Sequence, residues 1–116
     1  MIRLRVVRVI TALYWLALFL ATHLPPTHLP PIRLWDKLEH FIAYAILAGL
    51  LFFAINPPRP WRLLWICLAY GAFDELTQLL PFVHRNCSLY DWLADGLGAI
   101  AALMICHLIP TRLARR

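Results

Sequence analysis

Charge is scarce in this chain. Six acidic and eleven basic residues make up 15% of the sequence against 62% hydrophobic residues, a balance outside the range of water-soluble domains. That scarcity excludes an ordinary soluble fold and points to a bilayer. With 116 residues and about 20 apolar residues per crossing, there is room for four or five helices on short connections, and a large extramembrane catalytic domain is excluded. Cysteine is sparse as well. Cys67, Cys87 and Cys106 show no CxxC or Cys/His ligand spacing, so neither a disulfide framework nor a thiolate metal centre is expected and helix packing must hold the fold. Runs of acids, Gly/Ser linkers, internal repeats of convincing length and low-complexity segments are absent, which leaves a single domain over 1–116. The basic residues carry no nucleic-acid motif, so no nucleic-acid partner is expected.

What the chain does have is apolar runs cut by proline. The first span reads from about Val6 to Leu24 after a basic start. Its residues Leu20 to His23 make a poor small-residue cleavage pattern, so an uncleaved helix is expected rather than a signal peptide. Pro25, Pro26, Pro30 and Pro31 then exclude a helix. A second span runs from about Asp36 to Ile55 and stops at the turn Asn56-Pro57-Pro58-Arg59-Pro60. The third runs from Trp61 to about Leu80, closed by Pro81. The fourth runs from Leu89 to about Ile109, with Ser88 as N-cap and Asp91 as an acid at N3. The expected fold is therefore an all-α membrane protein, a four-transmembrane-helix bundle with short Pro-rich loops.

Four crossings place both termini on one side. That side carries Arg3, Arg5, Arg8, Arg59, Arg62, Arg112, Arg115 and Arg116, and the other only Arg33, Lys37 and Arg85. Positive residues favour the cytoplasmic face, so both termini are expected in the cytoplasm, with the protein in the plasma membrane. Small residues suit close helix contact. Ala94, Gly98 and Ala102 repeat every four positions on the fourth span, and Ala45 and Gly49 do so on the second. Trp35 and Trp92 are expected at the outer interface and Trp61 and Trp65 at the inner one; Trp15 has no such explanation.

Every acid, namely Asp36, Glu39, Asp74, Glu75, Asp91 and Asp95, falls near the outer end of a span. Asp36, His40 and Tyr44 form an i, i+4, i+8 line, Asp74 and Gln78 are i, i+4 with Glu75 beside them, and Asp91 and Asp95 are i, i+4. Ionisable groups inside a membrane span are costly, so they face the bundle interior and mark function. One outward-open pocket lined by His40, Glu75, Gln78, Arg85 and Asp91 is expected. Glu39 reads as a bystander, His23, His28 and His84 as loop residues, and His107 as an interfacial one.

These residues resemble the VanZ-like family of small integral membrane proteins. The matching segments are DKLEHFIAYAILAGLL (Asp36 to Leu51), YGAFDELTQ (Tyr70 to Gln78) and HRNCSLYDWLADGLGA (His84 to Ala99). Asp36, Lys37, His40, Tyr44, Glu75, Gln78, Arg85, Ser88, Asp91 and Gly98 match the family pattern, and Asp95 stands where the family usually has Asn. The resemblance implies an envelope role, since the family takes its name from an accessory determinant of resistance to the glycopeptide teicoplanin.

Three functional classes follow. In the first, the pocket binds a lipid headgroup or lipid-linked glycan precursor: Lys37 and Arg85 meet phosphate or carboxylate, while the acids and Gln78 accept hydroxyls or amines. The alternative is an intramembrane hydrolase or transferase with His40 or Glu75 as general acid/base. Third is an ion or proton pathway, against which stands the lack of ionisable groups in the inner halves beyond Cys67, Cys106 and His107. No cofactor is expected and no metal site is firmly implied. With one intramembrane histidine, a carboxylate-bound divalent cation suits Asp36, His40, Glu75 and Asp91 better than zinc. The oligomeric state is not written in the sequence.

Overall fold

The computed structural model describes residues 1–24, 35–83 and 87–109. Four helices follow one another: α1 (Ile2–His23), α2 (Asp36–Ala54), α3 (Pro60–Thr77) and α4 (Leu89–Leu108). Their boundaries have local causes. Pro60 opens α3 at the position where its missing N–H is no loss. Ser88 caps α4, its hydroxyl accepting the Asp91 N–H at 3.3 Å. Two ends differ from the sequence reading. α1 starts at Ile2 rather than near Val6, because the arginines among its first residues are good helix formers. α3 stops at Thr77 rather than Leu80, its last turn giving way to the short Leu79–Leu76 and Leu80–Thr77 turn bonds of 3.2 and 3.1 Å before Pro81.

α1, α2 and α4 are long and apolar enough to cross a membrane. α3, with 18 residues, is not among them, because it carries Arg62, Asp74 and Glu75. The fold is nonetheless the expected all-helical bundle, and its outer surface suits lipid: Leu13, Leu16, Ile46, Phe73, Leu97 and Ile105 are all exposed. A membrane supplies the apolar surroundings that such side chains otherwise lack.

Cross-helix contacts give the directions. Arg8 Nε donates to the Ala54 carbonyl at 3.0 Å, and Tyr14 Oη to the Ala43 carbonyl at 2.7 Å, so α1 and α2 are antiparallel. Trp92 Nε1 donates to the Leu68 carbonyl at 2.9 Å and the Ser88 N–H to Glu75 at 2.8 Å, so α3 and α4 are antiparallel too. α2 and α4 then run parallel, Lys37 reaching Asp91, His40 reaching Asp95 and Phe41 meeting Gly98. This pair forms the most extensive contact in the bundle, and α1 packs on α2 and α3. The core gathers Leu47, Ala48, Leu51, Leu63, Cys67, Ala99 and Leu103.

The small-residue expectation divides in two. A Cβ on Gly98 would overlap the Phe41 carbonyl oxygen and sit 3.0 Å from the Phe41 Cα, so the α2 and α4 backbones touch there. Gly49 does not serve the same device, since a Cβ there meets nothing within 4 Å. Two tryptophans also correct the reading. Trp92 lies between α3 and α4, its indole N–H on a backbone carbonyl, rather than serving as an interfacial anchor. Trp15 packs edge-on against Tyr70 at 5.2 Å.

Gly98→Ala must push two backbones apart and is expected to cost about 1–3 kcal/mol. Gly49→Ala gains helix propensity and is expected to be neutral or stabilising by up to about 1 kcal/mol. Thermal unfolding of the two variants in one detergent distinguishes them, and equal behaviour would remove Gly98 as the point of closest packing.

Candidate functional site

The directions of the four helices bring their polar ends together. All six acids of the chain lie at the end holding the start of α2, the end of α3 and the start of α4, while Arg3, Arg5, Arg8, Arg59 and Arg62 lie at the other. Within the acidic end the side chains form two clusters instead of one pocket.

The first cluster sits between α2, α3 and α4. Asp95 has 0% of its surface exposed and accepts from His40 Nδ1 at 2.7 Å. The other imidazole nitrogen, Nε2, is 3.6 Å from Asp91. Asp91 is buried and pairs with the ammonium of Lys37, which also reaches Asp36 at 3.3 Å. Glu75 comes in from α3, buried, with one carboxylate oxygen accepting the Ser88 N–H at 2.8 Å. Access is graded: the Asp36 side chain is 61% exposed, Lys37 31%, His40 14% and Asp95 0%. The helical spacing accounts for this, since one turn carries His40 away from Asp36 toward the bundle middle.

A second cluster joins α1 to α3. Thr22 donates to Asp74 at 2.6 Å, His23 Nε2 lies 2.6 Å from the Thr77 hydroxyl, and Gln78 donates to the Thr22 carbonyl at 3.4 Å. His23 is stacked on Phe19 at 4.1 Å between ring centres. His23 is thus the last residue of a packed helix and not a loop residue. Adjacent positions on a helix point about 100° apart, so Asp74 turns to α1 while Glu75 turns to α2 and α4.

Of the five residues expected to line one pocket, His40, Glu75 and Asp91 meet, joined by Lys37 and Asp95. Gln78 faces α1 instead, and Arg85 lies outside the described residues. Tyr44 belongs to the core, 1% exposed and stacked on Tyr70 at 6.1 Å. Ser88 acts through its backbone and as a cap. Thr22, His23 and Thr77 belong to the polar end although the sequence pattern marks none of them as a site residue. The face of α1 given by Thr11, Trp15, Leu18 and Thr22, at i, i+4, i+7 and i+11, was the available signal. Among the described residues, cavities of about 460 and 330 Å³ lie at the arginine end, one lined by Trp61, Leu64 and Met104 and the other by Arg8, Trp15 and Ala54.

Asp95→Leu leaves His40 Nδ1 without its acceptor and is expected to cost about 1–3 kcal/mol. Asp95→Asn keeps a carbonyl oxygen in that place and should stay within about 1 kcal/mol of the parent. Unfolding midpoints in detergent check both; a leucine variant as stable as the parent would mean that the His40 contact contributes nothing to the fold.

A family model described as VanZ/LLP1 matches residues 2–110. No curated protein and no solved structure matches the chain. The matched range takes in all four helices and both polar clusters, the same elements that carry the acidic end, and the chain is a membrane protein belonging to the VanZ/LLP1 family.

Proposed function

We propose that this protein is an accessory protein of the cell envelope whose acidic end holds a lipid headgroup or a lipid-linked glycan precursor. It lies in the plasma membrane with both termini in the cytoplasm and the acidic end outside. The observation that carries the proposal is the segregation of charge: every acid stands at one end of the bundle, with Asp74, Glu75, Asp91 and Asp95 buried there, and the described arginines stand at the other. Positive residues favour the cytoplasmic face, which turns the acids outward, toward envelope precursors. The family's association with glycopeptides supports a role in resistance to compounds of the teicoplanin kind.

The Lys37–Asp91 pair is the proposed point of entry. Lys37 is part-exposed and Asp91 lies just beneath it. A headgroup with both a phosphate and a hydroxyl or ammonium group can exchange into that pair, the phosphate meeting the ammonium and the donor meeting the carboxylate. The part-exposed ammonium and the buried carboxylate then each keep a partner throughout, which avoids the cost of stranding the Asp91 charge.

Native mass spectrometry of the protein taken from cells in mild detergent tests the binding. A retained lipid species is expected, with Lys37→Met and Asp91→Asn each lowering retention at least about tenfold, or about 1.4 kcal/mol, and Glu39→Gln leaving it unchanged. Retention unaffected by the first two changes would overturn the assignment, and turnover of the retained species would favour the hydrolase or transferase reading. Orientation is tested separately in a cysteine-free background. Trp35→Cys is expected to react with an impermeant thiol reagent in intact cells and Arg59→Cys only after permeabilisation; the opposite pattern would place the acidic end inside.

A further inference from the structure

His40, Glu75 and Asp95 each offer a ligand atom, and the three atoms lie within 4.8 Å of one another. They come from three different helices, α2, α3 and α4. Each carboxylate is already held by one oxygen only: Glu75 Oε2 by the Ser88 N–H at 2.8 Å and Asp95 Oδ1 by His40 Nδ1 at 2.7 Å. The second oxygens, Glu75 Oε1 and Asp95 Oδ2, are buried and have no hydrogen-bond partner among the described residues. Residue exposures of 3% and 0% put both carboxylates out of reach of bulk water. Lys37 is spent on Asp91 and Asp36, so among the described residues the two buried carboxylates of the cluster have no basic partner beyond the imidazole.

We propose that His40, Glu75 and Asp95 form a binding site for one divalent cation, of the class that accepts carboxylate ligands with a single imidazole, such as Mn²⁺. Ligand bonds of about 2.0–2.2 Å put neighbouring ligand atoms about 3–3.6 Å apart, so small side-chain movements within the 4.8 Å cluster complete the site. The support around it fits the role. The Ser88 N–H fixes the Glu75 carboxylate, and the Asp91 carboxylate 3.6 Å from His40 Nε2 is placed to orient the imidazole and accept an Nε2–H. On ion binding Nδ1 gives up its hydrogen bond to Asp95 Oδ1, its proton leaving to solvent or moving to Nε2, so that its lone pair takes the ion. A dication would balance the two carboxylates and give their free oxygens a partner, in a place where unpaired polar groups are most costly.

A neighbouring trio, Asp36, His40 and Asp91, has similar spacing. It is the weaker site. Asp36 is exposed, both acids already contact Lys37, and neither has a buried oxygen left without a partner. The cation proposal is independent of the headgroup reading, because its test contains no lipid-binding step.

The protein is purified in detergent, stripped with a chelator and titrated with Mn²⁺ alone, free ion being followed by continuous-wave electron paramagnetic resonance. One ion per chain is expected, bound at least tenfold more weakly by Glu75→Gln and by Asp95→Asn and within twofold of the parent by Asp36→Asn. Pulsed resonance of the parent complex should show a directly bound ¹⁴N, a readout that needs no variant to fold. Absence of stoichiometric binding, absence of the nitrogen coupling, or weakening by Asp36→Asn but not by Glu75→Gln would each overturn the proposal; the last would move the ion to the outer trio.

Discussion

Carboxylates inside an apolar bundle must be partnered, and the arrangement of this chain follows from that requirement. An isolated charge at membrane depth costs several kcal/mol, so each acid that leaves water has to find a donor on another helix. Asp95 finds His40, Asp91 finds Lys37, Glu75 finds the Ser88 backbone and Asp74 finds Thr22. These four contacts connect α2 to α4, α3 to α4 and α1 to α3. The polar end is therefore a clasp that sets the register of the helices.

Close packing makes those contacts short enough to matter. α2 and α4 run parallel and touch backbone to backbone at Gly98, one turn below the His40–Asp95 pair. With no hydrophobic drive between helices in lipid, small residues and hydrogen bonds do the joining. Gly71 contributes on the α3 side, where a Cβ would come within 3.2 Å of Asp95 and 3.1 Å of the Trp92 ring. α1 is attached differently, by side chains donating to backbone carbonyls of α2: Arg8 to Ala54, Thr11 to Leu50 and Tyr14 to Ala43. A donor placed on a carbonyl tolerates some sliding, whereas a glycine contact does not, which makes the α2–α4 pair the rigid element of the bundle.

The proposed function rests on the gradient of exposure along this clasp. Asp36 and Lys37 stand at the mouth, His40 behind them, and Asp95 in the dry interior. Groups at the mouth can exchange partners with a ligand at little cost in desolvation, while those inside are committed to the protein or to a small ion.

Much of this was legible in the chain of letters. The apolar runs, their length and the prolines that end them dictate four helices, because hydrophobic periodicity and missing backbone donors are local properties. The depth of the acids was legible too, since rise per residue is constant and each acid could be counted from a helix end. Azimuth was not. Asp74 and Glu75 are neighbours in sequence, yet one turns to α1 and the other to α4, and only the packing order of the helices decides which face meets which partner. The same limit explains Gly49 and Gly98, equal as letters, of which only the second meets a backbone. It also explains His23, whose role depends on Thr77, 54 positions away. Sequence determined what kinds of group lie at each depth; tertiary structure alone decided which of them touch, because contact across helices depends on rotation about their axes and no local pattern encodes that.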